Sequence, residues 1–349
     1  MATKLTDRFT EGESQALVNG RYRVLTALGQ GGQAQVFKVV DLFQSGRIKV
    51  LKAIHSAEAD TERLRWEFVR LARLDHPRLL RVFDLDLADE GSSPLSAGQL
   101  FFTAEFAEGR HPQELMGKLG QRKRSELLWR IATDVASALD HIHSKGLLHG
   151  DVKPQNILCT PHGDVKLIDL GLATVAGTLV EEGVQGTLDH LAPEVLAGCA
   201  DERADLYALG STLFQLATGR PPRGASGETT RERLRTLLEE DPPPLRDLAS
   251  GLPEGLCSLT DTLIRRAPEE RFRTARGVLD EIARRRRTVS LALAEPAEGS
   301  PLLATGVVGR QEEIQAVSQV MGGRLKPGAE PEGLPAVVIL RGDPGSGRA

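Results

Sequence analysis

From Tyr22 to Gly29 apolar and polar positions alternate (Tyr-Arg-Val-Leu-Thr-Ala-Leu-Gly), which predicts a strand with one face buried. A glycine-rich stretch follows, and Gln35–Asp41 and Ile48–Ile54 predict a second and a third strand. Between Thr61 and Leu74 the apolar residues Leu64, Phe68, Leu71 and Ala72 recur at helical spacing. Leu79–Leu85 and Leu100–Phe106 predict two further strands. Beyond Gly109 the period changes. Leu128, Ile131, Val135, Leu139 and Ile142 place a helix over Leu127–His143. Ala204–Thr218 is apolar almost all round, the mark of a buried helix. Residues 230–240, 256–266 and 274–287 also read as helical. A strand-rich small lobe followed by a helix-rich large lobe is an α+β arrangement, bilobal, with a cleft between the lobes.

The pattern divides the chain further. Residues 1–20 are a polar leader, 21–285 form the bilobal domain, and 286–306 form a linker centred on the Ala/Glu/Pro/Gly-rich Ala294–Pro301. A new segment occupies 307–349. Within the bilobal domain the N-lobe covers 21–105, a hinge 105–109 and the C-lobe 110–285.

Composition narrows the function classes. The 349 residues are 40% hydrophobic and 26% charged, close to soluble globular averages. The longest purely apolar run, Ala336–Leu340, is far too short to span a bilayer, and the first twenty residues lack a secretory pattern. Three scattered cysteines, Cys159, Cys199 and Cys257, suit a reducing cytoplasm better than a disulfide frame. A net charge of -4 speaks against nucleic acid as a main partner.

The chemistry concentrates in four places. Leu28-Gly-Gln-Gly-Gly-Gln-Ala-Gln-Val36 lies between two predicted strands, where small residues let backbone amides approach phosphates. The same glycines also suit a plain hairpin turn, and Ala34 stands where a third glycine of a G-x-G-x-x-G pattern would fall. Lys52 sits on the third strand, where an inward-facing lysine requires a partner, and Glu67 on the following helix is one candidate. Lys49 competes with Lys52 for that place. The segment Leu147–Leu158 gathers His149, Asp151, Lys153 and Asn156 between apolar flanks, and Asp169-Leu-Gly171 follows. Phosphoryl transfer needs this set: a carboxylate for the hydroxyl proton, a lysine for the moving phosphoryl, and an amide oxygen with a second carboxylate for Mg²⁺.

These motifs resemble the eukaryotic-type Ser/Thr protein kinases, including their bacterial members, over about residues 21–285. The resemblance implies a kinase fold and transfer of the ATP γ-phosphoryl group to Ser/Thr hydroxyls of protein substrates. It implies roles residue by residue. Gly29, Gly31 and Gly32, flanked by Leu28, match the glycine-rich loop, and Val36 covers the adenine. Lys52 matches the triphosphate-gripping lysine and Glu67 its helix partner. Glu105 and Ala107 match the hinge that binds adenine through its backbone, with Ala104 at the gatekeeper position. Asp151 matches the catalytic base, Lys153 the phosphate-contacting lysine, and Asn156 and Asp169 the Mg²⁺ ligands. Thr187 matches the substrate-facing threonine. Ala192-Pro-Glu194 ends the activation segment, Asp205 is the buried aspartate of a central helix, and Arg271 pairs with Glu194.

Two departures carry meaning. Gly150 stands where the family has an arginine that meets a phosphorylated activation-loop residue, which implies activity without such a phosphate at Thr174, Thr178 or Thr187. Leu170 replaces the phenylalanine of the metal motif. Arg284-Arg-Arg-Arg-Thr-Val-Ser290 has the look of a basic-directed phosphorylation site after the last helix, or of a solvated helix end. In the tail, Val307–Ile314 and Gly342-Asp-Pro-Gly-Ser-Gly-Arg348 resemble the truncated start of an AAA or signal-transduction P-loop ATPase, with Arg348 for the usual lysine. An ATPase and sensor region is therefore an expected partner in a longer protein. Two alternatives remain open in the sequence: a nucleotide-binding pseudokinase scaffold that regulates such a region, and a small-molecule phosphotransferase of kinase-like fold.

Overall fold

The computed structural model describes residues 16–30, 34–54, 68–69, 71–169, 174–175, 188–223 and 229–293. The chain divides into two units, 1–292 and 293–349, and the second lies outside the described residues except for Leu293.

The first unit begins with six antiparallel strands: β1 (Leu17–Val18), β2 (Tyr22–Gln30), β3 (Ala34–Asp41), β4 (Arg47–Ile54), β5 (Val82–Leu87) and β6 (Leu100–Glu105), in the order β1-β2-β3-β4-β6-β5. Side chains alternate between the two faces, so register decides the role of each residue. Val36 pairs with Lys52 and Lys52 with Phe102, while Val50 pairs with Ala104. These residues share the cleft face. The opposite parity puts Phe37, Val39, Leu51, Ala53 and Phe101 into a core with Tyr22, whose ring meets Phe101 edge-on at 5.9 Å. Lys49 lies on that outer face, fully buried, 2.8 Å from Asp41 and 3.1 Å from Asp84. Strand parity thus turns Lys52, and not Lys49, to the cleft face.

The strand expected over Leu79–Leu85 is displaced toward its C-terminus. Leu79 instead bridges Leu167 in parallel, and Leu167 N–H donates to Arg78 O at 2.8 Å. The cause is Arg78, whose guanidinium reaches Asp164 at 2.6 Å and Asp134 at 3.4 Å and draws the segment onto the large lobe. Of the helix expected over Thr61–Leu74, the described residues are 68–69 and 71–74; Phe68, Val69 and Leu71 are helical, and the chain turns at Ala72–Arg73, so the helix ends before Leu74.

The large lobe carries α1 (Pro112–Met116), α2 (Gln121–His143), α3 (Glu202–Thr218), α4 (Thr230–Glu239), α5 (Leu245–Leu248), α6 (Glu254–Leu263) and α7 (Ala275–Leu293). Four short strands complete it: β7 (Leu147–Leu148) pairs with β10 (Thr174–Val175), and β8 (Ile157–Cys159) with β9 (Val165–Leu167). Helix α3 is the axis, buried along most of its length through Leu206, Leu209, Leu213 and Phe214. Asp201 caps it by accepting from Arg203 N. Gly210 permits α6 to approach: a Cβ there would lie 2.5 Å from Leu263 Cβ.

The last helix corrects the expected break near residue 288. α7 continues to Leu293, so Arg284–Ser290 is helical and not a segment after the helix. Glu281 holds Arg284 and Arg285, each at 2.6 Å, and Arg285 also donates to Gly255 O at 2.8 Å. Ion pairs three and four residues apart support the helix through what reads as a bare basic run.

Candidate active site

The site starts from a buried carboxylate. Asp205, near the start of α3, accepts from His149 N at 2.8 Å, Gly150 N at 2.9 Å and His143 Nε2 at 2.8 Å. Burial alone would push its pKa up. The hydrogen bonds from His143 and from the Gly150 amide outweigh burial and hold it below the ordinary carboxylate value. This fixes the loop from below. Gly150 adopts φ +75°, a left-handed turn that glycine takes without strain. The turn delivers Asp151 to the cleft floor, where it is 9% exposed.

Asp151 is held on two sides. Lys153 Nζ lies 2.6 Å from its Oδ2. The Asn156 amide donates to Asp151 O at 2.8 Å and to Oδ2 at 2.9 Å. Because the amide nitrogen of Asn156 is spent on Asp151, its oxygen is the atom left to meet a cation. Thr212 of α3 donates to Val152 O at 3.3 Å, a further tie to the central helix.

The hairpin β8–β9 then carries the chain to Asp169. Ile168 N donates to Asn156 O at 2.8 Å, which sets the two segments side by side. Asp169 has φ +62°, a conformation uncommon for any residue but glycine. Such backbone strain persists where surrounding structure enforces it and is concentrated at functional sites. The Asp169 carboxylate pairs with Lys52 Nζ, 117 residues earlier in the chain.

Above this pair lies a cavity of about 180 Å³, lined chiefly by apolar residues that include Val36, Val50, Phe102, Ala104 and Ile168. Lys52 and Asp169 are its charged walls. Ala104, 3% exposed, lines the cavity with a small side chain beside its strand partner Val50. Glu105 ends β6, with its N–H donated to Arg81 O at 2.8 Å, and Ala107 follows in the linker. Leu28 is half-exposed on β2, and Gly29 pairs with Val36.

The structure therefore brings together Lys52 and Asp169, and separately Asp151, Lys153 and Asn156, on segments joined by β8–β9. Gly31, Gly32, Glu67, Leu170, Thr178 and Thr187 lie outside the described residues. Arg271 grips Glu194 with two bonds of 2.6 and 2.9 Å, the ion pair expected from the resemblance.

Two residues near the site escaped the sequence reading. Lys166 pairs with Glu105 at 2.8 and 3.0 Å; its only sequence signal is a charge between the buried Val165 and Leu167. His190 is buried and meets Gln215 of α3 at 2.9 Å. Burial pushes its pKa down to about 4, so the ring is neutral at ordinary pH.

Comparison with known proteins defines the class. Residues 22–281 match the protein kinase domain, and the chain belongs to that family. It is 32% identical over 327 residues to the DNA damage-responsive serine/threonine-protein kinase RqkA of Deinococcus radiodurans, covering 91% of this chain and 44% of that protein. It is 29% identical over 265 residues to the serine/threonine-protein kinase PrkC of Bacillus subtilis, 74% of this chain and 39% of that one. With the serine/threonine-protein kinase PknJ of Mycobacterium tuberculosis it shares 34% identity over 268 residues, 73% of this chain and 43% of that one. The chain thus spans less than half the length of these relatives.

Proposed function

We propose that the chain is a bacterial signalling kinase that transfers the γ-phosphoryl group of ATP to Ser or Thr hydroxyls of proteins. The observation that carries this reading is the convergence of Lys52 with Asp169, beside Asp151 held by Lys153 and Asn156. The serine/threonine kinases it resembles support the acceptor class.

The donor set suits Mg²⁺. Among the described residues no group of three His, Cys, Asp or Glu side chains could hold a metal ion. A carboxylate and an amide oxygen suit a cation that shares its shell with substrate phosphates, as Mg²⁺ does. Asp169 and Asn156 would hold it, and it would offset the charge of the triphosphate. Lys52 would bind the α- and β-phosphates, with Asp169 keeping it in the cleft. Val36, Ile168 and Ala104 would enclose the adenine, and the Glu105 carbonyl and Ala107 amide would orient it. Leu28 and the glycines at 29, 31 and 32 would close over the phosphates, with Glu67 as a second partner of Lys52. Asp151 would accept the hydroxyl proton of the acceptor. Its carboxylate is oriented by Asn156, and Lys153 would steady the phosphoryl group in flight.

Radiolabelled ATP with a mixed peptide pool tests the reading. Wild-type protein labels Ser and Thr, and Asp151→Asn lowers the rate by about 10²–10⁴-fold, the usual worth of a positioned proton acceptor. Equal labelling by wild type and Asp151→Asn would refute the assignment. Gly150 in place of the family's arginine supports activity without a phosphorylated activation segment. Dephosphorylated protein should then transfer without a lag.

The same reading extends to the rest of the chain. The kinase domain covers 21–285 together with the remainder of α7, and 307–349 opens a P-loop ATPase region that joins a sensor in a longer protein. Cytoplasmic residence fits the cysteine pattern, and among the described residues no helix is long and apolar enough to cross a membrane.

A further inference from the structure

The Glu105 side chain has no part in the roles proposed above, which use only its backbone. Yet its carboxylate receives both short contacts from Lys166 Nζ, 2.8 and 3.0 Å, across 61 residues of sequence. The two side chains are partly screened from solvent, 18% exposed for Lys166 and 31% for Glu105. A charge pair in such a setting is stronger than one in open water.

Its position gives it consequence. Lys166 is the middle residue of β9, three residues before Asp169, and Val165 and Leu167 on either side are buried in the large lobe. The lysine therefore stands on a fixed strand. Glu105 ends β6, where the chain leaves the small lobe. A few residues on, the linker is tied to the same hairpin again. Arg110 N donates to Cys159 O and Cys159 N to Arg110 O, both at 2.9 Å, and His111 Nδ1 meets Ile157 O at 3.0 Å. Gly109 lies so close that a Cβ would come within 2.6 Å of Leu158 Cγ. The linker is thus anchored to β8–β9 at both ends, at Glu105 by the ion pair and at 110–111 by the Arg110 backbone and the His111 ring. Only the Glu105 end is held by side chains alone.

We propose that Lys166 is a positioning residue for the nucleotide: through Glu105 it fixes the adenine-facing backbone of 105–107 relative to the strand that leads to Asp169. Both ends of the nucleotide site are then referred to one rigid hairpin, and removing the pair loosens the adenine end while the phosphate end keeps its groups. The inference rests on the kinase reading above and names a residue in it that touches neither substrate nor metal.

The test is a split between KM and kcat. Lys166→Met is expected to raise KM for ATP about fivefold, with kcat within about twofold, since a partly exposed pair contributes about 1 kcal/mol. The charge swap Glu105→Lys with Lys166→Glu should recover most of the lost affinity, whereas either charge-reversing single variant should not. A role confined to holding the lobes together would lower the melting temperature and leave KM unchanged. Unchanged KM, a parallel loss in kcat, or no recovery in the swap overturns the proposal. Calorimetric titration with Mg·ATP reports the same fivefold change independently of turnover. Wild-type binding without phosphoryl transfer would count against the kinase reading and leave the positioning role to be judged by these affinities. No wild-type binding would end both.

Discussion

Two lysines three residues apart on one strand meet opposite fates. Lys49 is fully buried on the outer face of the small-lobe sheet, between Asp41 and Asp84, and Asp41 is itself gripped by Arg21 at 2.8 and 2.9 Å. Tyr22 and Thr103 donate to Asp84 at 3.0 and 3.1 Å, so most polar atoms in that network have partners. Lys52 faces the cleft and reaches across it to Asp169. The same residue type becomes a buried structural cation on one face and a cavity-lining one on the other. Strand parity makes the choice, because an odd separation reverses the side on which a side chain lies.

The comparison is broken most forcefully by exchanging each lysine for methionine. Lys49→Met leaves two carboxylates without their buried cation and should cost about 3–5 kcal/mol of stability, read by denaturant titration. Transfer per folded molecule should stay near wild type. Lys52→Met should do the reverse: transfer falls by about 10²–10³-fold, with stability within about 1 kcal/mol of wild type. A loss of specific activity in Lys49→Met without unfolding would show that the two faces are not separate.

The outer network also sets the acid limit. Burial alone would raise the Asp41 pKa, but the hydrogen bonds from Arg21 and Lys49 reverse this and hold it far below the usual carboxylate range. Its contribution to stability is full at neutral pH and is lost as pH falls from about 4 through the folded value. His190 acts earlier. Its pKa is pushed down to about 4 by burial, so the unfolded chain takes up a proton near 6.5 that the folded chain refuses. Stability measured from pH 7 to 3 should therefore decline below about 6.5 through His190 and go on declining below about 4 through Asp41, as the His190 contribution ends. In Lys49→Met the lower limb should shrink. An unchanged limb would detach Asp41 from the network.

The cleft face yields a smaller effect. Ala104 lines the cavity with a small side chain, so on the proposed function ATP analogues with bulky base substituents should serve as substrates. Ala104→Phe should discriminate against them by at least about tenfold while using ATP itself, as pocket-filling by a ring does. Competition assays measure this directly, and equal use of the analogues by both proteins would show that Ala104 does not gate the cavity.

Much of this was legible in the sequence. The small-lobe strands and the long helices follow from alternation and helical spacing, with ends shifted by a few residues. Asp151, Lys153, Asn156 and Asp169 stand out because polar residues so closely set between apolar flanks have few other uses. Lys52 against Lys49 was not decidable, because parity within a strand depends on which face the neighbouring strands cover. The Leu79 bridge, the Lys166–Glu105 pair and the burial of His190 were invisible because each joins segments far apart in the chain. The end of the last helix is hidden for a different reason: a run of arginines reads as solvated, and its partners Glu281 and Gly255 O appear only in the fold.

On the proposed function, the cleft face of β4 and the end of β9 jointly receive a metal-bound triphosphate. Calorimetric titration of the chain with ATP, with and without Mg²⁺, tests it most directly. The account expects saturable binding that requires Mg²⁺ for full affinity, is weakened in Lys52→Met and persists in Lys49→Met. Absence of binding, or equal weakening by both substitutions, would contradict it.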